Sequence, residues 1–147
     1  MAHISESTAS FRVIGDLLDP EEITKLLGAS PTFSHRKGEV ITGRTTGTKR
    51  EARFGIWLIN ASKRVPENLD GQVEEVLSQL TDDISVWKDL GGQFVLNLFC
   101  GLFMKEGNEG LTISPKTLLM LGQRGISIDL DIYDPADENS KQEPRKE

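Results

Sequence analysis

The run from Gln93 to Met104 constrains the fold of this chain most, because almost all of its residues are apolar. At the two-residue period of a strand, one face of the run is wholly apolar and the other is largely so. The apolar positions are Phe94, Leu96, Leu98, Cys100 and Leu102 on the first face, and Val95, Phe99 and Phe103 on the second. A strand that is apolar on both faces predicts a central place in a sheet, buried on both sides.

The same run is too short to span a bilayer and is interrupted by Asn97 and Gly101. Residues 1–8 are polar and show no export signal. The lone Cys100 cannot form an internal disulfide, and an unpaired thiol is typical of a reducing compartment. We therefore expect a cytoplasmic protein without a membrane partner.

Alternating apolar residues predict four more strands. The first covers residues 8–14, two cover residues 35–41 and 53–60 on either side of a glycine- and threonine-rich loop, and the last covers residues 126–133. In the last strand the apolar side chains are expected to face inward and Ser127, Asp129, Asp131 and Tyr133 to face outward. One side of the sheet should therefore meet water or a partner at this strand.

Helix starts are marked by capping residues. Asp19 followed by Pro20 predicts a helix of about two turns that ends at Gly28. A second helix begins near Asn68 or Asp70, and its apolar stripe is formed by Leu69, Val73, Val76, Leu77 and Leu80. Ser114 followed by Pro115 predicts a third helix before the last strand.

The length of 147 residues fits one domain. We expect a flexible N-terminus over residues 1–7, one α+β domain over residues 8–133 and a disordered, charged tail over residues 134–147. The order of elements predicts a mainly antiparallel, mixed, five-stranded sheet with two to three helices packed on one face, close to the ferredoxin-like plan.

Catalytic chemistry is not indicated by the sequence. His3 lies near the N-terminus and His35, beside two basic residues, is predicted to be solvated, so neither suggests a catalytic pair with a serine or cysteine. Cys100 lies on the apolar face of its strand, where burial suppresses thiolate chemistry. The cysteine and histidine content does not form a zinc motif, and the aspartates near residue 130 lack the pattern of a calcium loop. We expect no enzymatic activity, no metal and no cofactor.

Eight short motifs lie at positions 11–16, 18–24, 27–28, 31–32, 36–39, 55–57, 113–115 and 131–133. Together they resemble the bacterial family known as domain of unknown function 4279. The resemblance covers nearly the whole predicted domain and implies no established activity. Some small bacterial families of this kind consist of immunity proteins, which neutralise toxins encoded beside them.

This association leads to the first functional hypothesis, an immunity protein that blocks a cognate toxin by direct contact. The net charge of −6 suits a basic partner such as a nuclease toxin domain. The expected contact surface is an outward acidic row beside an aromatic anchor, formed by Asp129, Asp131, Tyr133 and Asp134.

The alternative is a regulatory domain that binds an anionic ligand or nucleic acid. The segment from His35 to Arg64 carries eight basic and two acidic residues, and leaves the rest of the chain at −12. In this case the site would consist of Arg44, Lys49, Arg50, Arg53 and Trp57. The pI of about 5.0 argues against strong non-specific binding of nucleic acid.

Overall fold

The structure is a computed structural model and describes residues 2–135. Its strands are β1 (Ala2–His3), β2 (Glu6–Gly15), β3 (Phe33–His35), β4 (Val40–Thr42), β5 (Lys49–Glu51), β6 (Gly55–Asn60), β7 (Val95–Phe103), β8 (Glu109–Gly110) and β9 (Ser127–Tyr133). Its helices are α1 (Pro20–Leu27), α2 (Leu69–Leu77), α3 (Ile84–Gln93) and α4 (Pro115–Gln123).

The main sheet has five strands in the order β3-β6-β2-β7-β9. Both neighbours of β2 run antiparallel to it, as does β3 to β6, whereas β9 runs parallel to β7 after the crossover through α4. The predicted α+β class and mainly antiparallel mixed sheet are thus confirmed. The predicted interior place of the apolar run is also confirmed, because β7 lies between β2 and β9. Its predicted burial on both faces was wrong, because Val95 is 58% exposed and Phe99 and Phe103 are only half-buried.

One face of this sheet packs against the helices. The odd-numbered residues of β2 and β6 and the even-numbered residues of β7 form a single core with buried side chains from all four helices. The rings of Phe11, Trp57 and Trp87 meet edge to face at its centre. Residues 2–135 contain four helices where two to three were predicted. The additional one is α3, whose short apolar stripe of Trp87 and Leu90 is followed by two glycines.

Local capping sets the helix boundaries as predicted. The side chain of Asp19 accepts a hydrogen bond from the backbone N–H of Glu21, and Gly28 ends α1 with a φ of 80°. Asn68 caps α2 and Ser114 caps α4 in the same way.

The predicted hairpin of two long strands is divided into two parts. β3 pairs with β6 in the main sheet, while β4 pairs with β5 in a separate exposed hairpin. The division occurs at a turn in which the backbone N–H of Arg36 donates to the carboxylate of Glu39 and Gly38 has a φ of 86°. The basic tip of this segment therefore stands apart from the main sheet.

The N-terminal end of the domain differs from the prediction. β2 begins at Glu6, and Ile4 and Ser7 are buried, so residues predicted to precede the domain belong to its strands. The backbone of Ile4 donates to Gly110 as β1 pairs with β8. Of the predicted disordered tail, only Asp134 and Pro135 are described, and residues 136–147 lie outside the described residues.

Candidate functional site

The face of the sheet opposite the core is not covered by any helix in residues 2–135, and we call it the open face. Its residues alternate with the core residues along each strand and are brought side by side by the strand register. The open face includes Phe33, His35, Ile56, Leu58, Asn60, Ser10, Arg12, Asn97, Phe99, Phe103, Asp129, Asp131 and Tyr133.

A connected polar group lies at the centre of the open face. Arg12 on β2 is directly opposite Asn97 on β7, and its Nε donates to Asn97 Oδ1 at 2.9 Å. The amide nitrogen of Asn97 donates to the carboxylate of Asp129 on β9. The guanidinium carbon of Arg12 lies 4.6 Å from the ring centroid of Phe99. We call these four residues the Arg12 cluster.

The Arg12 cluster fixes the guanidinium in position. Asn97 is only 5% exposed, so its amide is held by packing as well as by its two hydrogen bonds. The Phe99 ring lies beneath the guanidinium carbon and attracts its charge. Within residues 2–135, the terminal amino groups of Arg12 have no hydrogen-bond acceptor and no ion pair. The cluster therefore presents an oriented cation with unused donors.

A second group on the open face joins the ends of β7 and β9. The rings of Phe103 and Tyr133 stack with centroids 4.7 Å apart and planes 4° apart, and the Tyr133 hydroxyl donates to Asp131. The Phe103 ring also leans over Gly101, where an added Cβ would lie 3.2 Å from Cε2 of that ring. These aromatic side chains consequently hold each other in place at the ends of β7 and β9.

The predicted contact residues come together on and beside β9. Asp129 is exposed, Asp131 and Tyr133 are half-buried, and Asp134 follows the last residue of the strand. The prediction that the apolar side chains of β9 face inward is only partly right, because Leu130 is 44% and Ile132 55% exposed. They point to the helical side, but β9 is an edge strand and the helical layer does not cover its end.

His35 lies at the opposite edge of the open face and is 7% exposed, so the prediction that it is solvated was wrong. Its ring is flanked by Phe33 and Phe54, with centroids 5.4 and 6.2 Å away. Its Nδ1 is buried and has no hydrogen-bond partner among the described residues. The two phenylalanines remain substantially exposed, which gives this edge an apolar surface.

The alternative anion site is not assembled as predicted. Trp57 is 0% exposed, and its Nε1 donates to Thr24 Oγ1 at 3.0 Å, so this side chain belongs to the core and cannot contact a surface ligand. Arg44, Lys49, Arg50 and Arg53 are exposed on or beside the β4–β5 hairpin. None of these four forms an ion pair with another described residue.

The buried thiol of Cys100 is not set up for nucleophilic chemistry. Burial raises the pKa of this thiol to about 12, and the nearby negative charge of Asp129 adds to the effect. A protonated thiol is a poor nucleophile at neutral pH. Within residues 2–135, no three histidine, cysteine or acidic side chains are grouped so that they could hold a metal ion.

The helical side of the molecule contains a groove of about 450 Å³ between α2 and α4. Arg124 lies at its wall, where its Nη1 donates to the Met120 carbonyl and its guanidinium lies 5.8 Å from the Trp87 ring centroid. Glu74 lies on the opposite wall, and its Oε1 is 3.8 Å from Nζ of Lys116. These charged groups are engaged in local contacts and do not form an acid-base pair.

Comparison of the chain with known proteins gives one match, to a protein family. The family described as a domain of unknown function, DUF4279, matches residues 5–135. The chain belongs to this family. No curated protein and no solved structure matches it. None of the four helices of the DUF4279 domain in residues 2–135 has the length and apolar character needed to cross a bilayer.

The short motifs that carried the resemblance have mostly structural positions. Asp19 and Ser114 cap helices, and Trp57 fills the core. Arg12 and Tyr133 belong to the same motifs but lie on the open face. Sequence patterns predicted Tyr133 and its neighbouring aspartates as a contact surface, but gave no indication that Arg12, Asn97 and Phe99 lie together on the same face. The only signal was the outward position of Arg12 in the alternation of its strand.

Proposed function

We propose that this DUF4279 domain is a non-enzymatic binding protein of the immunity type, which neutralises a toxin protein by holding it against the open face. The observation that supports this most is the open face itself, where polar and aromatic side chains from four strands are fixed by one another and left uncovered by the helices. A surface of this kind can bind a partner protein without catalysing a reaction.

The composition of the open face suits a protein partner. Arginine and aromatic residues are enriched among the side chains that dominate protein interfaces. Arg12, Phe99, Phe103 and Tyr133 are of these types and are already held in place by stacking or hydrogen bonds. Side chains that are ordered before binding lose less conformational entropy when the complex forms.

The charge of the chain supports a basic partner. Asp129 and Asp131 lie on the open face and Asp134 follows them, within a chain of net charge −6. Opposite charge accelerates the encounter of two proteins and fixes their relative orientation. A toxin that acts on nucleic acid carries basic surface and would meet these aspartates. An inhibitor of such a toxin acts in the cytoplasm, where a thiol such as Cys100 stays reduced.

A second candidate function rests on the β4–β5 hairpin. Arg44, Lys49, Arg50 and Arg53 are exposed and lack ion pairs among the described residues, whereas nearby Arg36 and Lys37 are paired with acids close to α1. Unpaired cations on a projecting hairpin suit an anionic small molecule or a nucleic acid. This candidate involves different residues from the open face, so variants can separate the two.

The test has two starting points. If the adjacent gene encodes a toxin, that toxin is expressed, and a tagged form of this protein is captured from its native cells together with any protein bound to it. Any stoichiometric partner is purified and the complex is reconstituted for calorimetry. The open-face variant carries Asp129→Lys and Asp131→Lys. The control variant carries Asp82→Lys and Asp89→Lys, which change the net charge equally at exposed positions before and within α3.

The expected result is a 1:1 complex that the open-face variant weakens at least tenfold and the control variant leaves within twofold. A further variant with Asp129→Asn and Asp131→Asn keeps the size of both side chains and should weaken binding less than the lysine variant. Equal weakening by the open-face and control variants would contradict the proposed surface. Retention of nucleic acid alone, lost on mutation of Arg44 and Arg50, would favour the second candidate.

A further inference from the structure

We propose that Arg12 is the anion-recognition point of the open face and binds a carboxylate group of the partner protein. This inference rests on the proposed function and names the chemistry of its contact. The Arg12 cluster provides the geometry: the Nε of Arg12 is occupied by Asn97, the guanidinium lies against Phe99, and the two terminal amino groups have no acceptor within residues 2–135.

An arginine arranged in this way fits a carboxylate. The guanidinium is planar, permanently charged and able to donate two parallel hydrogen bonds to the two oxygens of a carboxylate. With Nε held and the guanidinium carbon above a ring, the orientation of the remaining donors is set before a ligand arrives. A half-buried position on the sheet further strengthens a charged hydrogen bond by lowering the local dielectric constant.

Asn97 separates this arginine from an acidic partner on the same face. Asp129 is the acid nearest to the group along the strands, but its carboxylate accepts from the Asn97 amide and forms no ion pair with Arg12. A neutral amide thus stands between the cation and the anion. If Asp129 paired directly with Arg12, the cation would be neutralised and its donors used.

The neighbouring charges favour a carboxylate over a phosphate. Asn97 is opposite Ser127 on β9, so Asp129 and Asp131 lie two and four residues beyond that position on the same face. They repel a dianionic phosphate more than a carboxylate with a single charge. The ring of Phe99 borders the site and offers apolar contact to the group that carries the carboxylate. The ligand is therefore an aspartate, a glutamate or a chain terminus of the partner.

The first arm of the test uses small probes with the full chain. Side-chain ¹⁵N spectra are recorded during titration with benzoate, neutral benzamide and inorganic phosphate, and the Nε signal of Arg12 is assigned by its loss in Arg12→Lys. We expect a saturable shift of this signal with benzoate, little change with benzamide, and weaker binding of phosphate. The Nε signal of Arg50 on the exposed hairpin serves as the control. Equal responses of Arg12 and Arg50, or no response of Arg12, would overturn the inference.

The second arm uses the reconstituted complex with the partner. Arg12→Gln and Arg12→Lys should each weaken binding about tenfold to a hundredfold, because a charged, bidentate hydrogen bond is lost. If Asp129→Lys with Asp131→Lys weakens the complex and neither Arg12 variant does, the role of Arg12 is overturned while the proposed function stands. If none of these variants affects the complex, both proposals fail. Peptides of the partner with free and amidated termini then distinguish a terminal carboxylate from a side-chain carboxylate.

Discussion

The rings of Phe103 and Tyr133 stack in parallel across the β7–β9 pair, with centroids 4.7 Å apart. This contact joins the edge strand to the interior of the sheet at the place where the helical layer ends. It also holds Tyr133 so that its hydroxyl donates to Asp131. The acidic part of the open face therefore depends on an aromatic pair for its geometry.

Replacing Tyr133 should separate the contribution of the ring from that of the hydroxyl. Tyr133→Phe keeps the stacked ring and should lower the free energy of unfolding by about 1 kcal/mol or less, the usual net value of one hydrogen bond. Tyr133→Ala removes both contacts and should cost about 2 kcal/mol. Urea denaturation measures both values. Equal losses for the two variants would show that the ring does not stabilise the β7–β9 pair.

Asn97 should be important for stability despite its polar character. Asn97→Ala leaves both Arg12 Nε and the Asp129 carboxylate without their partner, and we expect a loss of about 2 kcal/mol in the free energy of unfolding. The control is Asn60→Ala, which alters an exposed amide on the same face and should cost less than about 0.5 kcal/mol. Similar losses for the two variants would contradict a connected Arg12 cluster.

The buried Gln72 should connect α2 firmly to the sheet. Its Oε1 accepts from the Ser7 hydroxyl at 2.7 Å, and its Nε2 donates to the carbonyls of Ser7 and Ser62. Gln72→Ala should lower the free energy of unfolding by about 3 kcal/mol, because it leaves buried groups unsatisfied and opens a cavity. Gln79→Ala, on the exposed side just after α2, should change it by less than about 0.5 kcal/mol. Thermal and urea unfolding of both variants test this difference.

Cys100 should be chemically silent in the folded protein. Because burial raises the pKa of its thiol to about 12, almost no thiolate is present at pH 8. A thiol reagent should therefore react with Cys100 only as fast as the protein unfolds, and rapidly in urea. The control is Thr45→Cys in the exposed hairpin turn, where the added thiol should react at the rate of a small-molecule thiol. Rapid reaction of the native wild-type protein would show that Cys100 is accessible.

Glu75 should make the stability depend on acid pH. The backbone N–H of Ser62 and the guanidinium of Arg64 hold the pKa of this carboxyl below its ordinary value of 4.5. A group with a lowered pKa in the folded state stabilises it above the unfolded pKa, and that contribution is lost as the pH falls through the folded pKa. Glu75→Gln should therefore be less stable than wild type at pH 7, with the difference shrinking below pH 4.5. A difference that stays constant down to pH 2 would contradict this linkage.

Local features of the fold could be predicted from the sequence, because caps and turns depend on neighbouring residues. Asp19 and Gly28 bound α1 as expected, and the apolar run of β7 indicated its place between two strands. The helix α3 was not predicted, since β-branched residues at its start and Gly91 and Gly92 near its end lower its helical propensity. Its stability comes from packing of Trp87 and Leu90 in the core.

The candidate site was harder to predict, because strand register creates it. Arg12 and Asn97 are 85 residues apart in the chain and meet only because β2 pairs with β7 in one particular alignment. The exposure of Leu130 likewise follows from the edge position of β9, which its alternating pattern does not reveal. The aspartates of β9 could be identified because outward acids in a strand are visible in the sequence itself.

The central claim is that the partner binds the open face. Hydroxyl-radical footprinting of the reconstituted complex tests this claim most directly. The rings of Phe33, Phe99 and Tyr133 report on the open face, and the exposed Leu118 and Leu119 on α4 report on the helical side. If the partner binds the open face, Phe99 and Tyr133 will lose reactivity in the complex while the two leucines keep theirs. Protection of the leucines with unchanged reactivity of the aromatic rings would contradict it.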